Sequence, residues 1–209
     1  MTINKFLINT LKQFNGTYLE TGLSGGDSLA KANNLNFKKL ISIEINKEYV
    51  EKCKIRFADE INKGKIELVN NNSALVLNTI IKNNKDIDVV FLDAHFHGQG
   101  QEYAPLDYEL EILKKNNYKN LIIIDDFFHI KKKMANEWTK FHDSKKISKI
   151  ILEQFGKVSE VPYSFKGRYN SYLISVELTK TSIFLEKIKA IILSFPKNFI
   201  KILIGKKLN

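Results

Sequence analysis

Five short apolar runs separated by helix-like stretches set the strongest limit on how this chain folds. The runs span residues 17–21, 40–44, 66–69, 87–92 and 121–124, and residues 28–33, 47–57, 74–81 and 106–115 between them carry helical patterning. Two runs, IDVVFL at 87–92 and LIII at 121–124, are apolar on both faces. Strands of that kind belong in the middle of a parallel sheet covered by helices on either side. Strand–helix alternation at this spacing predicts an α/β fold, a doubly wound Rossmann-like sheet that is mainly parallel. After Lys131 the pattern changes. A helix is expected over 132–141, followed by β-like runs at 150–155 and 172–178 with Gly156, Pro162 and Gly167 between them. Those runs are expected to close the sheet as an antiparallel, hairpin-like edge. No internal repeat or low-complexity linker interrupts the chain, so residues 1–178 read as one domain and 179–209 as a basic amphipathic helical tail.

Composition excludes several classes. With 209 residues, 44% hydrophobic and 27% charged, the chain is neither disordered nor fibrous. At this size a domain buries roughly 70% of the surface that its unfolded form exposes, so no disulfide staples are needed. The single cysteine, Cys53, excludes an intrachain disulfide framework and a Cys-rich zinc site; it falls in a helix and reads as a core filler. Residues 1–11 carry Lys5 but no long apolar core and no small-residue cleavage site, and no run approaches the roughly 20 apolar residues of a membrane span. A cytoplasmic location is expected.

The net charge of +10 is uneven and built almost wholly from lysine, since Arg56 and Arg168 are the only arginines. Arginine is the residue best suited to bidentate phosphate and guanine contacts, so nucleic acid is a poor partner. Residues 179–209 hold Lys180, Lys187, Lys189, Lys197, Lys201, Lys206 and Lys207 against Glu186, a net of +6, which leaves +4 for the first 178 residues.

The first chemical constellation is YLETGLSGGDS at 18–28, directly after the first strand. A glycine-rich turn between a strand and a helix lets a ligand approach the backbone closely. The spacing is neither G-x-G-x-x-G nor a P-loop; it is E-x-G-x-x-G-G, formed by Glu20, Gly22, Gly25 and Gly26. Glu44 ends the second strand 22 residues after Gly22, where a carboxylate accepts hydrogen bonds from ribose hydroxyls. A cofactor with a ribose but no pyrophosphate suits this arrangement better than a dinucleotide. The plain alternative is an ordinary glycine-rich turn.

These residues, with Asn72-Ser73 after the third strand and Asp93 after the fourth, resemble a class I S-adenosylmethionine-dependent methyltransferase over residues 16–128. The resemblance implies that Glu20, Gly22, Gly25, Gly26, Glu44, Ile45, Asn72, Ser73 and Asp93 surround the cofactor. It places the glycine turn at the methionine part, Glu44 on the ribose and Asn72-Ser73 beside the adenine. Members often carry Asp-Ser where this chain has Asn72-Ser73; an asparagine can still meet the adenine amino group through its amide oxygen.

A second constellation narrows the reaction. Asp93-Ala-His95-Phe-His97 follows the fourth strand and Asp125-Asp126 the fifth. In a sheet of this family's order the two strand ends are neighbours, which gathers carboxylates and imidazoles at one edge. Oxygen ligands with open positions suit a hard cation such as Mg²⁺. The pattern is similar to the metal-dependent O-methyltransferases of the catechol and macrocin types, and closer to small methyltransferase-like proteins of polysaccharide gene clusters, with L-D-A-H and I-D-D at these places. The resemblance implies Asp93, Asp125 and Asp126 as metal ligands. A hydroxyl is a poor nucleophile until its proton leaves; a nearby cation lowers its pKa and an imidazole takes the proton. His95, assisted by Asp93, is the expected base, ahead of His97 and His129. The plain alternatives are a loop histidine bonded to Asp93, and an aspartate pair that caps the next helix.

Absences also discriminate. No Asn/Asp-Pro-Pro-Tyr/Phe of base N-methylases follows the fourth strand, nor the Pro-Cys of pyrimidine C5 methylases. Trp138 and Phe141 read as core, and Glu102, Asp107, Glu109 and Glu111 as a solvated acidic face. In the tail, Phe184, Ile188, Ile191, Ile192 and Phe195 recur at helical spacing before Pro196 breaks the pattern. That stripe fits an anionic membrane surface, the domain's own surface or a homodimer interface. The combined expectation is methyl transfer from S-adenosylmethionine to a hydroxyl of a sugar or cell-surface glycan precursor, assisted by a metal. The alternatives are a metal-independent RNA or small-molecule methyltransferase, and a non-catalytic cofactor-binding or membrane-associated protein.

Overall fold

The computed structural model describes residues 3–94, 105–132, 142–165, 168–176 and 178–194. The elements run α1 (Lys5–Leu11), β1 (Thr17–Thr21), α2 (Asp27–Asn33), β2 (Lys39–Glu44), α3 (Lys47–Arg56), α4 (Ala58–Asn62), β3 (Ile66–Asn70), α5 (Ser73–Asn83), β4 (Ile87–Leu92), α6 (Leu106–Lys115), β5 (Leu121–Ile124), α7 (Phe127–Lys132), α8 (Ser144–Phe155), β6 (Ser159–Phe165), β7 (Arg168–Ile174) and α9 (Lys180–Ser194). They build a seven-stranded sheet of order β3-β2-β1-β4-β5-β7-β6. The first five strands pair in parallel, whereas β7 runs antiparallel to both β5 and β6.

Alternation along the strands feeds two cores. Leu19, Ile41, Val90 and Ile122 point to one face and pack under α5, α6, α7 and α8. Tyr18, Leu40, Val89 and Ile123 point to the other and pack under α1, α2 and α3. Each fully buried Leu or Ile is worth roughly 1.5–3 kcal/mol, so a strand buried on both faces is held far more firmly than an edge strand. The chain winds outward from β1 through β2 to β3, then returns to the centre and winds the other way through β4 and β5. That reversal leaves a crevice above the C-terminal ends of β1 and β4.

The doubly wound sheet, its parallel body and its antiparallel C-terminal strand agree with the sequence. Several elements differ from expectation, among them α4, α7 and β6, which no run or patterned stretch anticipated. Residues 150–155, read as β-like, belong to helix α8: Asp143 accepts the Lys145 and Lys146 N–H groups at 2.8 and 3.3 Å, and Gly156 ends the helix in a left-handed conformation. With the start fixed by that cap, Ile147, Ile150 and Ile151 fall on one buried face. The closing hairpin is therefore formed by β6 and β7, and β6 holds Pro162 paired with Ser171. Helix α1 was not expected; its Leu7 and Leu11, four apart, are buried and follow an N-cap by Asn4. Most of the helix expected over 132–141, with Trp138 and Phe141, lies outside the described residues. Cys53 is buried, as expected of a core filler.

Candidate active site

The glycine turn after β1 is shaped by two close approaches. Gly22 has φ 87°, and a Cβ there would lie 2.3 Å from the Asp93 carbonyl oxygen, because β1 and β4 are adjacent and Asp93 N–H donates to Thr21 O at 3.0 Å. Gly26 has φ 78°, and a Cβ would meet the Phe57 ring at 2.7 Å and Cys53 Sγ at 3.0 Å. Gly25 between them is different: a Cβ would have nothing within 4 Å. Two glycines are needed for packing, and the third fronts open space.

The turn is braced from the side. Glu44 Oε2 accepts the Ser24 N–H at 2.9 Å and Oε1 accepts the Asn46 N–H at 2.9 Å. Each oxygen keeps a lone pair for a further donor. Arg56 on α3 donates to the Gly25 carbonyl and, at 2.9 Å, to Asp27 Oδ1. Sequence reasoning had counted Arg56 only as a charge; its helical offset from Glu44 is the signal that places it over the turn. Ile45 beside Glu44 is 46% exposed.

Glu20 sits beneath the turn, fully buried. Tyr18 Oη donates to its Oε2 at 3.0 Å and Ser42 Oγ to its Oε1 at 2.8 Å. Burial pushes its pKa up to about 7 against the opposing pull of the Ser42, Ser28 and Tyr18 hydroxyls. It ties β1 to β2 through the Ser42 hydroxyl. Asn72 caps α5, its amide oxygen accepting the Ala74 N–H at 2.9 Å, and the second lone pair of that oxygen remains for a ligand. Ser73 is buried at the start of α5, facing the Glu109 carboxyl. Glu109 is a correction. It is 1% exposed, not on a solvated face, because the periodicity of α6 turns it inward with Leu106, Leu110 and Leu113. Burial raises its pKa to about 7, opposed by the Ser73 and Thr21 hydroxyls.

The structure brings Asp93, Asp125 and Asp126 together at neighbouring strand ends. Burial, then the charges of Asp125 and Asp126, push the Asp93 pKa well up; burial and Asp126 raise Asp125 to about 8. Asp125 is turned into the protein. Its Oδ1 accepts Tyr163 Oη at 2.6 Å and the Asp126 N–H at 2.7 Å, while Oδ2 is buried with no hydrogen-bond partner among the described residues. Asp126 has φ 50°, a conformation that aspartate tolerates better than most residues, and its Oδ1 accepts Asn170 Nδ2. Tyr163 and Asn170 come from β6 and β7, some forty residues downstream (offsets 38 and 44). No local pattern pointed to them.

Among the described residues, no group of three or more His, Cys, Asp and Glu side chains could hold a metal ion. The expected Mg²⁺ set thus finds no support among the described residues. His95 and His97 lie outside the described residues, as does Glu102. His129 is half-buried on α7, its ring edge-on to Phe128 at 6.1 Å.

No protein-family model matches the chain, and no curated protein does. Solved structures do. An O-methyltransferase from Bacillus cereus in complex with S-adenosylhomocysteine is 13% identical, with TM-score 0.59, covering 82% of this chain and 80% of that one. The O-methyltransferase TomG from Streptomyces achromogenes, involved in tomaymycin synthesis and complexed with S-adenosylmethionine, is 14% identical with TM-score 0.58, covering 83% and 80%. A Clostridium thermocellum protein described as an rRNA methylase is 14% identical with TM-score 0.54, covering 83% of this chain and 98% of its own. At these identities the likeness shows the fold: a class I methyltransferase fold, shared by proteins with different acceptors.

Proposed function

We propose that this protein transfers a methyl group from S-adenosylmethionine to an acceptor oxygen. The observation that carries the reading is the crevice at the sheet's reversal, where Glu44 and Arg56 brace the glycine turn while the space in front of Gly25 is open. Solved proteins of this fold hold S-adenosylmethionine or S-adenosylhomocysteine. Bound there, the cofactor supplies a sulfonium methyl, whose C–S bond breaks as the acceptor oxygen bonds to carbon and S-adenosylhomocysteine leaves. The lone pairs left on Glu44 receive the ribose hydroxyls, Ile45 covers the adenine, and Asn72 meets its amino group. Gly22, Gly25 and Gly26 let the methionine part lie against the backbone.

The acceptor proton goes to His95, two residues from Asp93 in the sequence. We assign the acceptor as a hydroxyl of a sugar or glycan precursor; the support is the likeness of L-D-A-H at 92–95 and I-D-D at 124–126 to proteins of polysaccharide gene clusters. Tyr163 and Asn170 each bond one oxygen of Asp125 and Asp126, and this reading assigns no step to a metal.

The test is calorimetric titration with S-adenosylhomocysteine, with and without Mg²⁺. Binding that Gly25→Val abolishes supports the reading. No heat up to about millimolar ligand overturns it, since a site of only roughly −4 kcal/mol half-fills there. A Mg²⁺-dependent heat lost in Asp125→Ala would restore the metal. For the acceptor, transfer of labelled methyl to sugar nucleotides or glycan precursors supports the assignment, and transfer to RNA alone overturns it.

A further inference from the structure

Helix α9 is amphipathic in the opposite sense to a helix packed on a domain. It lies against β6 and β7, and apart from the half-buried Ile183 the side it turns inward is small and polar. Ala190 is buried, Ser194 Oγ donates to Ser164 Oγ at 3.2 Å, and Glu186 is largely covered and paired with Lys189 at 2.6 Å. The outward side is apolar: Phe184, Leu185, Ile188 and Ile191 are 60, 51, 38 and 40% exposed. At 3.6 residues per turn these positions form one stripe, with exposed Lys180 and Lys187 along one border and Lys189 along the other. A helix stabilised only by its own domain would carry this pattern reversed.

The charge selects what covers the stripe. Residues 179–209 carry a net charge of +6, and their single acid, Glu186, faces inward. A second copy docked through the same patch would set lysine against lysine, since a two-fold contact presents one surface to itself. An anionic lipid surface complements both features: the stripe enters the headgroup–acyl boundary while the lysine stems lie along it and their ammonium groups reach the phosphates. No helix among the described residues is long and apolar enough to cross a membrane, so the geometry is that of a helix lying on one.

The register fixes where the site falls. Because β7 is antiparallel to β5, with Ile124 opposite Leu173, β7 reaches past the C-terminal end of β5 towards Arg168. Phe165 pairs with Arg168 at that tip, and Ser164 beside it holds Ser194. Helix α9 therefore ends on the edge of the sheet that carries Asp93, Asp125 and Asp126. We propose that α9 docks the domain on a bilayer surface rich in anionic lipid, with the candidate site at the docked edge. The proposal stands whether or not the chain transfers methyl groups.

The test uses the full chain in flotation with vesicles of phosphatidylcholine alone and of phosphatidylcholine mixed with phosphatidylglycerol. Flotation with the mixed vesicles only, released by added salt, is expected. Phe184→Glu combined with Ile188→Glu should abolish it. Lys180→Glu and Lys187→Glu should each weaken it by at least roughly fivefold. These side chains are exposed, and unchanged thermal melting verifies that the variants fold. Equal flotation with both vesicle types, or none with either, overturns the proposal. So does a dimer that Ile188→Glu dissociates in the absence of vesicle binding, which would identify a second copy as the occupant.

Discussion

The Ser24 N–H donates to Glu44 Oε2 at 2.9 Å, joining residues 20 apart at the ends of two adjacent strands. One carboxylate thereby sets the shape of the glycine turn and, in the proposed function, also receives the ribose hydroxyls. Glu44→Ala removes both roles. It should cost about 1.5–3 kcal/mol of stability, as for a charge-assisted hydrogen bond, and weaken S-adenosylhomocysteine at least tenfold. Glu44→Gln keeps an acceptor oxygen and should fall between. Urea unfolding together with calorimetry separates the two effects.

Gly25 and Gly22 should answer differently to a side chain. Gly25→Val meets open space at a backbone angle outside the left-handed region, so stability should stay within about 1 kcal/mol of wild type while cofactor binding is lost. Gly22→Ala meets the Asp93 carbonyl at 2.3 Å with φ 87°; a loss of about 2 kcal/mol or more is expected. Thermal melting beside a binding titration reads the contrast. Equal destabilisation by both would mean that Gly25 is needed for packing.

Glu109 makes stability depend on pH in a definite direction. Its carboxyl has an ordinary pKa of 4.5 and rises to about 7 in the folded chain. Between these values the unfolded chain has released a proton that the folded chain keeps, so raising the pH favours unfolding. The contribution is on the order of 3 kcal/mol, lost as pH rises through that window and level above it. Glu20, also raised to about 7, acts in the same sense. Glu109→Gln should flatten the slope and gain on wild type when unfolding is compared at about pH 5 and about pH 8.

Tyr163 and Asp125 tie the C-terminal hairpin to the sheet at 2.6 Å. Tyr163→Phe leaves a buried carboxyl without that donor while keeping the ring stacked on Tyr172, 4.1 Å away. A loss of about 1–3 kcal/mol is expected in urea unfolding. An unchanged midpoint would show that the bond contributes nothing net.

Parts of this architecture were legible because they depend on local order. The strands at 17–21, 87–92 and 121–124 are bounded in the structure as the apolar runs bound them. The run at 150–155 misled for a physical reason, whereas the run that begins at Tyr172 does start within strand β7. A short apolar run fits a buried strand or one face of a helix equally well, and only the Asp143 cap and Gly156 stop decide between them. Glu109 was likewise misread, since a charge on a helix says nothing of which face is covered.

The sequence by itself determined the alternation of strands and helices, the glycine turn, and the placing of carboxylates after β2, β4 and β5, since each is a property of neighbouring residues. Tertiary structure alone decided what those carboxylates do. Glu20 went beneath the turn to Tyr18 and Ser42, and Glu44 to Ser24. Asp125 and Asp126 went to Tyr163 and Asn170. Likewise only the packing of α9 showed that its apolar stripe faces outward. A buried carboxylate must find donors wherever the fold brings them, and the fold brings them from strands that are distant in sequence and adjacent only in the sheet.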